Sequence, residues 1–166
     1  MTERTLRVGI VGHGFMGKMH AHAYRSLNFY YDPVPASIEL VGVATQTEAS
    51  CKKAQAMWGF PVATTDYREL CARDDIDIIN CCTPNNLHKD VLLCALENNK
   101  HVYMDKPLCR TLDEAQEMQQ AAKANPDNII QMTFQYRFIP AMLRAKELIT
   151  QGSLGEIYSA RVCYLH

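Results

Sequence analysis

Apolar positions along the chain fall into short β-branched runs, separated by stretches with helical spacing. Residues 6–11 form the first such run and end in glycine, the pattern of a strand buried on both faces of a parallel sheet. A helix is expected over about 14–27. Residues 28–37 (NFYYDPVPAS) then carry two prolines and no period, so they read as an inserted loop. Residues 38–44 make a second strand. The helix predicted over 48–58 stops at Gly59, with Pro61 just beyond as a C-terminal signal. A short strand at 62–65 and a short helix at 67–72 follow. Residues 76–82 (IDIINCC) are a third strong strand, leading through Thr83-Pro84-Asn85 into a helix to about 97. After a strand at 101–104, Thr111-Leu112-Asp113-Glu114 reads as a capping box that opens a helix to about 125. Residues 129–133 form another strand.

Strand and helix alternate about six times, the signature of an α/β domain built on a doubly wound parallel sheet. Such sheets bind ligands beyond the carboxyl ends of their strands, where the strand order reverses. Residues 1–135 are therefore expected to form one ligand-binding domain. Beyond it, Pro140 opens a helix to about 150, 152–155 is a turn, and 156–165 reads as a long strand. Residues 136–166 are thus expected to be the first helix and strand of a second, α+β domain that this chain does not complete. Without a sheet to join, 156–165 is expected to dock on the protein's own surface, lose order, or pair between chains.

Composition narrows the function. The 166 residues carry 17 Lys and Arg against 18 Asp and Glu, a net charge of −1. That balance argues against a nucleic-acid binder or a polybasic membrane-surface protein. With 48% hydrophobic and 21% charged residues the chain is globular rather than disordered. No apolar stretch approaches the about 18 residues of a membrane helix, and the first residues lack a signal-peptide core. The seven cysteines include no C-x-x-C pair, so reduced core thiols fit better than disulfides or zinc. A soluble cytoplasmic protein is the expectation.

The first strand runs directly into Gly12-His13-Gly14-Phe15-Met16-Gly17, a G-x-G-x-x-G pattern opening a helix. Its three glycines allow a tight turn, close approach of a pyrophosphate, and close helix–strand packing, while the helix N-terminus offers free amides. A methyltransferase glycine loop is the nearest rival, and a ligand-free turn the plainest one. The fingerprint asks for an acid about 20 residues on. Asp32 has that spacing but sits before Pro33 in the inserted loop; the second strand ends instead in Ala44-Thr45-Gln46-Thr47. No carboxylate there repels a 2′-phosphate, so the reading leans slightly to NADP over NAD. Asp105-Lys106-Pro107, after the strand at 101–104, places a lysine at the ligand edge, where it can hydrogen-bond a substrate hydroxyl.

Together, the glycine run, Cys82-Thr83-Pro84-Asn85-Asn86-Leu87-His88 and residues 100–108 (KHVYMDKPL) strongly resemble the Gfo/Idh/MocA family of glucose–fructose oxidoreductase and inositol dehydrogenase. The likeness continues through Phe134-Gln135-Tyr136-Arg137-Phe138, Pro140 and Leu154-Gly155-Glu156-Ile157. It implies a Rossmann-type cofactor domain, NAD or NADP as cofactor, a sugar, polyol or sugar derivative as substrate, and a homo-oligomeric parent. Gly12 to Gly17 would then hold the pyrophosphate, and Thr45 and Gln46 would face the adenosine ribose. Cys82, Thr83, Pro84, Asn85 and His88 would line the middle and nicotinamide side, with Arg137 near the nicotinamide end. Asp105 and Lys106 match the family's Glu-Lys-Pro motif, with Lys106 as the catalytic lysine and the aspartate one methylene shorter than the usual glutamate. The family's usual proton-transfer base, a histidine in the second domain, would fall beyond His166.

Blander readings stand beside these. His20 and His22, two apart on a helix, make a poor metal pair. Cys81 and Cys82 read as core filling, Met16, Met19, Phe29, Tyr30 and Tyr31 as packing, and Asp74, Asp75 and Asp77 as a solvated loop. The rival to an enzyme is a dinucleotide-binding module without catalysis, acting as a sensor or assembly partner.

Overall fold

The structure is a computed structural model, and it describes residues 4–163. Six strands, β1 (Thr5–Val11), β2 (Ser37–Ala44), β3 (Val62–Thr64), β4 (Ile78–Cys81), β5 (His101–Met104) and β6 (Ile130–Met132), form one sheet in the order β3-β2-β1-β4-β5-β6. All neighbouring pairs are parallel. The chain winds outward from β1 in one direction and returns to wind outward from β4 in the other. The strand order therefore reverses between β1 and β4, which opens a crevice at their carboxyl ends.

Alternation along each strand, shifted by one residue at a bulge around Val41 in β2, sorts the core into two layers. Val8, Ile10 and Val43 point to the face covered by α1 (Phe15–Tyr30) and α2 (Glu48–Trp58), where Ala21, Ala54 and Phe60 complete the packing. Val11, Val41, Ile79, Cys81, Val102 and Met104 point to the other face. There they meet α3 (Tyr67–Cys71), α4 (His88–Glu97) and α5 (Leu112–Ala124) through Leu70, Val91, Leu92, Ala95, Leu96 and Met118. Near-continuous apolar strands are what burial on both faces requires.

Local signals fix most helix ends. At α2, Thr47 accepts from the Ser50 amide while the Ser50 hydroxyl accepts from the Thr47 amide, and Gly59 ends the helix at φ +67. At α5, Thr111 accepts from the Glu114 amide as expected, but the Glu114 carboxylate reaches one residue further back, to the Arg110 amide and guanidinium. The capping box is therefore only half formed. The ion pair with Arg110 captures its second arm and holds the Glu114 carboxyl below the usual carboxylate range.

Three expectations fail. First, α1 runs through Asn28–Tyr30 rather than ending near residue 27. The chain leaves the helix only at extended Tyr31, shortly before Pro33 makes helix impossible. Second, Met19, Phe29, Tyr30 and Tyr31 are exposed rather than packed, with Phe29 and Tyr30 in edge contact at 5.0 Å. Third, no strand forms over residues 156–163, and residues 164 and 165 of that expected strand lie outside the described residues. A strand is defined by its ladder, and among the described residues this segment has no partner to bond its backbone.

The compact sheet domain ends at Thr133, and a second unit begins at Phe134. Described by itself, that unit holds a 3-10 turn at Gln135–Phe138 and α6 (Pro140–Thr150), with Pro140 in the first turn where its missing N–H costs nothing. Gly152 and Gly155 supply the positive φ of the following turn.

Candidate functional site

The crevice between β1 and β4 is built around the glycine loop. Gly12 adopts φ +93 and donates to Ala44 O at 2.8 Å, bending the chain sharply out of β1. A Cβ at Gly12 would lie 2.6 Å from Cys82 O, and one at Gly17 would lie 2.1 Å from Gly12 O. The first and third glycines thus let strand, loop and helix approach more closely than any side chain permits. Gly14 is different: a Cβ there meets nothing within 4 Å, so its surface faces open space. Helix α1 then starts with no side-chain cap and no acidic residue in its first turn. Uncapped amides and the positive end of the helix dipole both point to an anionic ligand.

These elements wall a cleft of about 720 Å³. From the glycine loop it takes Gly12, His13, Gly14, Phe15 and Met16; from the end of β2, Thr45 and Gln46; from the end of β4, Cys82, Thr83 and Pro84; and from the end of β5, Asp105. Sequence reasoning anticipated all of these. It missed Ser50, Thr65, Tyr67, Asn86 and Leu87, which also line the cleft. Thr65 directly follows β3, so the strand-end rule had it in reach; Tyr67 opens a five-residue helix that carries no motif. None of the lining residues is lysine or arginine.

The hydroxyls at the β2 end are largely committed to one another. Thr45 Oγ1 lies 2.5 Å from Ser50 Oγ, donates to Thr47 O at 3.1 Å, and lies 3.1 Å from Cys51 Sγ. Gln46, beside it, is exposed. His13 is fixed through its ring: Trp58 Nε1 donates to His13 Nε2 at 2.8 Å, which requires the neutral Nδ1–H tautomer. Burial, then the nearby Lys18 and Lys53 cations, depress the His13 pKa, consistent with that neutral ring.

Behind the Thr83 loop lies a buried polar knot. Asn80 Oδ1 accepts from Tyr24 at 2.9 Å and lies 3.0 Å from His20 Nδ1, while Asn80 Nδ2 donates to Cys82 Sγ and to Tyr103 O. His20 is thus a satisfied packing histidine beside the cleft. Burial, with the neighbouring Cys81 and Asp105, pushes the Cys82 thiol well above its usual range.

Four anticipated residues of the sheet domain, Gly17, Asn85, His88 and Lys106, do not line the cleft. His88 is 1% exposed and does not line it. Its Nδ1 lies 2.8 Å from Pro107 O and its Nε2 2.9 Å from Thr83 O. It therefore ties the loop after β4 to the loop after β5 from beneath, because the first turn of α4 directs its ring inward. Asn85 opens a 3-10 turn and does not line the cleft, where Asn86 and Leu87 stand instead. Lys106 is exposed on the rim and is not part of the wall, while its neighbour Asp105 is buried in it. Gly17, the loop's last glycine, acts through packing on Gly12. Arg137 belongs to the second unit, where its guanidinium sits 5.7 Å from the Phe134 ring centroid.

Comparisons with known proteins agree with this geometry. Residues 6–134 match the Gfo/Idh/MocA model, described as an oxidoreductase family with an NAD-binding Rossmann fold. The chain is 37% identical over 163 residues to levoglucosan dehydrogenase of Pseudarthrobacter phenanthrenivorans, covering 98% of this chain and 41% of that protein. It is 30% identical to D-glucoside 3-dehydrogenase of Escherichia coli, over 95% of this chain and 43% of that protein. A solved structure of levoglucosan dehydrogenase in complex with NADH superposes with a TM-score of 0.87 at 34% identity, over 92% of this chain and 41% of that one. An NAD-binding oxidoreductase from Klebsiella pneumoniae gives 0.85 at 36% identity, over 92% and 40%. The chain spans about two fifths of the length of these relatives.

Proposed function

The chain belongs to the Gfo/Idh/MocA oxidoreductase family, and from that premise we propose that its cleft is the cofactor half of a sugar or polyol dehydrogenase. The observation that carries the reading is the glycine loop: Gly14 faces open space above an uncapped helix N-terminus, while Gly12 and Gly17 are filled by backbone. That cradle fits a pyrophosphate, held by first-turn amides of α1. Thr45 and Gln46 would meet the adenosine ribose, and Thr83, Pro84 and Asp105 the nicotinamide half. Strands in a sheet lie about 4.8 Å apart, so the three steps from β2 to β5 span about 14 Å, the scale of a dinucleotide lying across the strand ends.

We infer NAD(H) rather than NADP(H), against the slight lean drawn from the missing carboxylate. A 2′-phosphate needs cationic partners in direct contact, and the cleft wall has no lysine or arginine, with Lys18 and Lys53 acting on His13 only at coulombic range. The Thr45 hydroxyl, the nearest neutral candidate, is already bonded within its own loop. Relatives point the same way, since one was solved with NADH.

When bound, a nicotinamide supplies hydride chemistry at its C4. Lys106, on the rim beside Asp105, would hydrogen-bond the reacting hydroxyl, and the buried Asp105 and His88 hold the loop that carries it. Residues 136–166 would open the substrate and oligomerisation domain. Free cysteines throughout the described residues fit a reducing, cytoplasmic setting.

Titration with NADH and NADPH, read by nicotinamide fluorescence, tests the reading. Saturable NADH binding that is lost in Gly14→Val supports it; absence of binding to either cofactor refutes it for this chain. The exposed position of Lys106, outside the cleft wall, favours a second reading in which this chain binds cofactor without turnover. Turnover of a polyol by the 166-residue chain, abolished in Lys106→Ala, would sink that reading.

A further inference from the structure

We propose that Thr133 is a positioning residue of the cofactor cleft, acting through Asp105 to present one carboxylate oxygen to the nicotinamide half of the dinucleotide; this rests on the dinucleotide reading above. Both residues sit one step past the ends of adjacent strands, where the ladder continues. The Asp105 amide donates to Cys81 O at 2.9 Å and the Thr133 amide to Met104 O at 2.8 Å. Their backbones are thus as rigid as the sheet. Both side chains are buried, at 7% and 5% exposure.

The two oxygens of Asp105 are not equivalent. Oδ1 accepts from Thr133 Oγ1 at 2.8 Å and from the Lys106 amide at 2.8 Å. Among the described residues Oδ2 accepts no hydrogen bond and no buried side-chain oxygen lacks a partner. Oδ2 is therefore the accessible oxygen of a residue that lines the cleft. No lysine, arginine or histidine pairs with this carboxylate among the described residues. A carboxylate there repels phosphate and can only accept, so it selects a hydroxyl or amide N–H of the ligand, such as a ribose hydroxyl or the carboxamide. The phosphates lie at the helix N-terminus, and the β5 end faces the other half of the dinucleotide.

Thr133 decides which oxygen is left for that task. With the hydroxyl gone, Oδ1 keeps only the Lys106 amide, and the short aspartate arm is free to rotate about χ2. The same Oδ1 ties down the Lys106 amide, so the loss also loosens the start of the lysine loop. Aspartate stands here where the resembling motif carries glutamate, and an anchored short arm replaces the reach of a longer one.

The test is NADH binding by the full chain, read by nicotinamide fluorescence, in Thr133→Val, Thr133→Ser, Asp105→Ala and the Thr133→Val/Asp105→Ala pair. The expected result is affinity about tenfold weaker in Thr133→Val, the scale of one lost charge-assisted hydrogen bond. Thr133→Ser stays within about twofold, and Thr133→Val adds nothing once Asp105→Ala is present. Wild-type affinity in Thr133→Val, or an equal loss with and without the Asp105 carboxylate, overturns the proposal. If Thr133→Val does not fold by circular dichroism, Thr133→Ala removes the same donor without adding bulk and is judged by the same outcomes. Failure of the unaltered chain to bind NADH removes the dinucleotide reading and this assignment with it; binding by the unaltered chain with an indifferent Thr133 removes the assignment alone.

Discussion

Gly14→Ala and Gly17→Ala insert the same methyl group three residues apart and should have opposite consequences. At Gly17 the new Cβ would lie 2.1 Å from Gly12 O, short of the 3.0 Å closest approach by 0.9 Å. Both partners are backbone, one in the turn out of β1 and the other in the first turn of α1, so no rotamer change relieves the overlap. The helix must move away from the sheet by most of that distance. Overpacking of well-filled sites costs about 1–3 kcal/mol, and a backbone clash belongs at the upper end, about 3 kcal/mol. For a chain of this size each kcal/mol moves the melting temperature by about 2–4 °C, so Gly17→Ala should melt on the order of 10 °C below wild type. At Gly14 nothing lies within 4 Å and φ is −73, a conformation any residue adopts. Gly14→Ala should therefore melt at or slightly above wild type, because alanine reduces the freedom of the unfolded chain. Yet it should bind NADH at least about tenfold more weakly, since its methyl occupies the surface the pyrophosphate approaches. Thermal melts by circular dichroism and NADH titrations on the three proteins decide the matter. A Gly17→Ala protein as stable as wild type would show that the helix is not held as described. A Gly14→Ala protein that binds NADH normally would refute the phosphate cradle.

Three further outcomes follow from named contacts. Because the folded-state pKa of His13 is depressed below its ordinary 6.5, the stability tied to its neutral ring is present above that value and is lost as pH falls from about 6.5 through the folded pKa. Protonation also turns the acceptor Nε2 into a donor, so the emission of Trp58, the one tryptophan in the chain, should change over that window and stay flat in His13→Gln. The Arg7 guanidinium, bonded to Asp77 at 2.7 Å, holds that carboxyl below the carboxylate range; its stabilisation is present above about pH 3.8 and is lost as pH falls through the folded value. Melting curves from pH 5 to 2 should therefore fall less steeply in Asp77→Asn. With iodoacetamide near neutral pH, mass spectrometry should find the exposed Cys163 labelled first and Cys82 slowly, because burial keeps its thiol protonated. Saturating NADH should slow Cys82 further without changing Cys163, and equal protection of both would contradict the placement of Cys82 in the cleft.

Features whose causes are local could be read directly from the residues. Helix α2 begins and ends at the expected residues because Thr47, Ser50 and Gly59 form its caps from within six residues of each end. Pro140 fixes the start of α6 in the same way, and the β-branched runs fix the strands. Parallel pairing follows from their alternation with helices, and parallel strands bring every carboxyl end to one edge. The motifs at those ends therefore meet in one cleft, and so Gly12, Thr45, Thr83 and Asp105 were legible from their places along the chain. Tertiary structure decided the features whose partners are distant in sequence. Nothing near His88 tells that its ring bonds carbonyls 5 and 19 residues away and so turns from the cleft. The Trp58–His13 bond spans 45 residues, and the Thr133–Asp105 bond spans 28. Residues 156–163 carry a strand's composition, but a strand also needs a neighbour's N–H and C=O groups, which no property of the segment itself can supply.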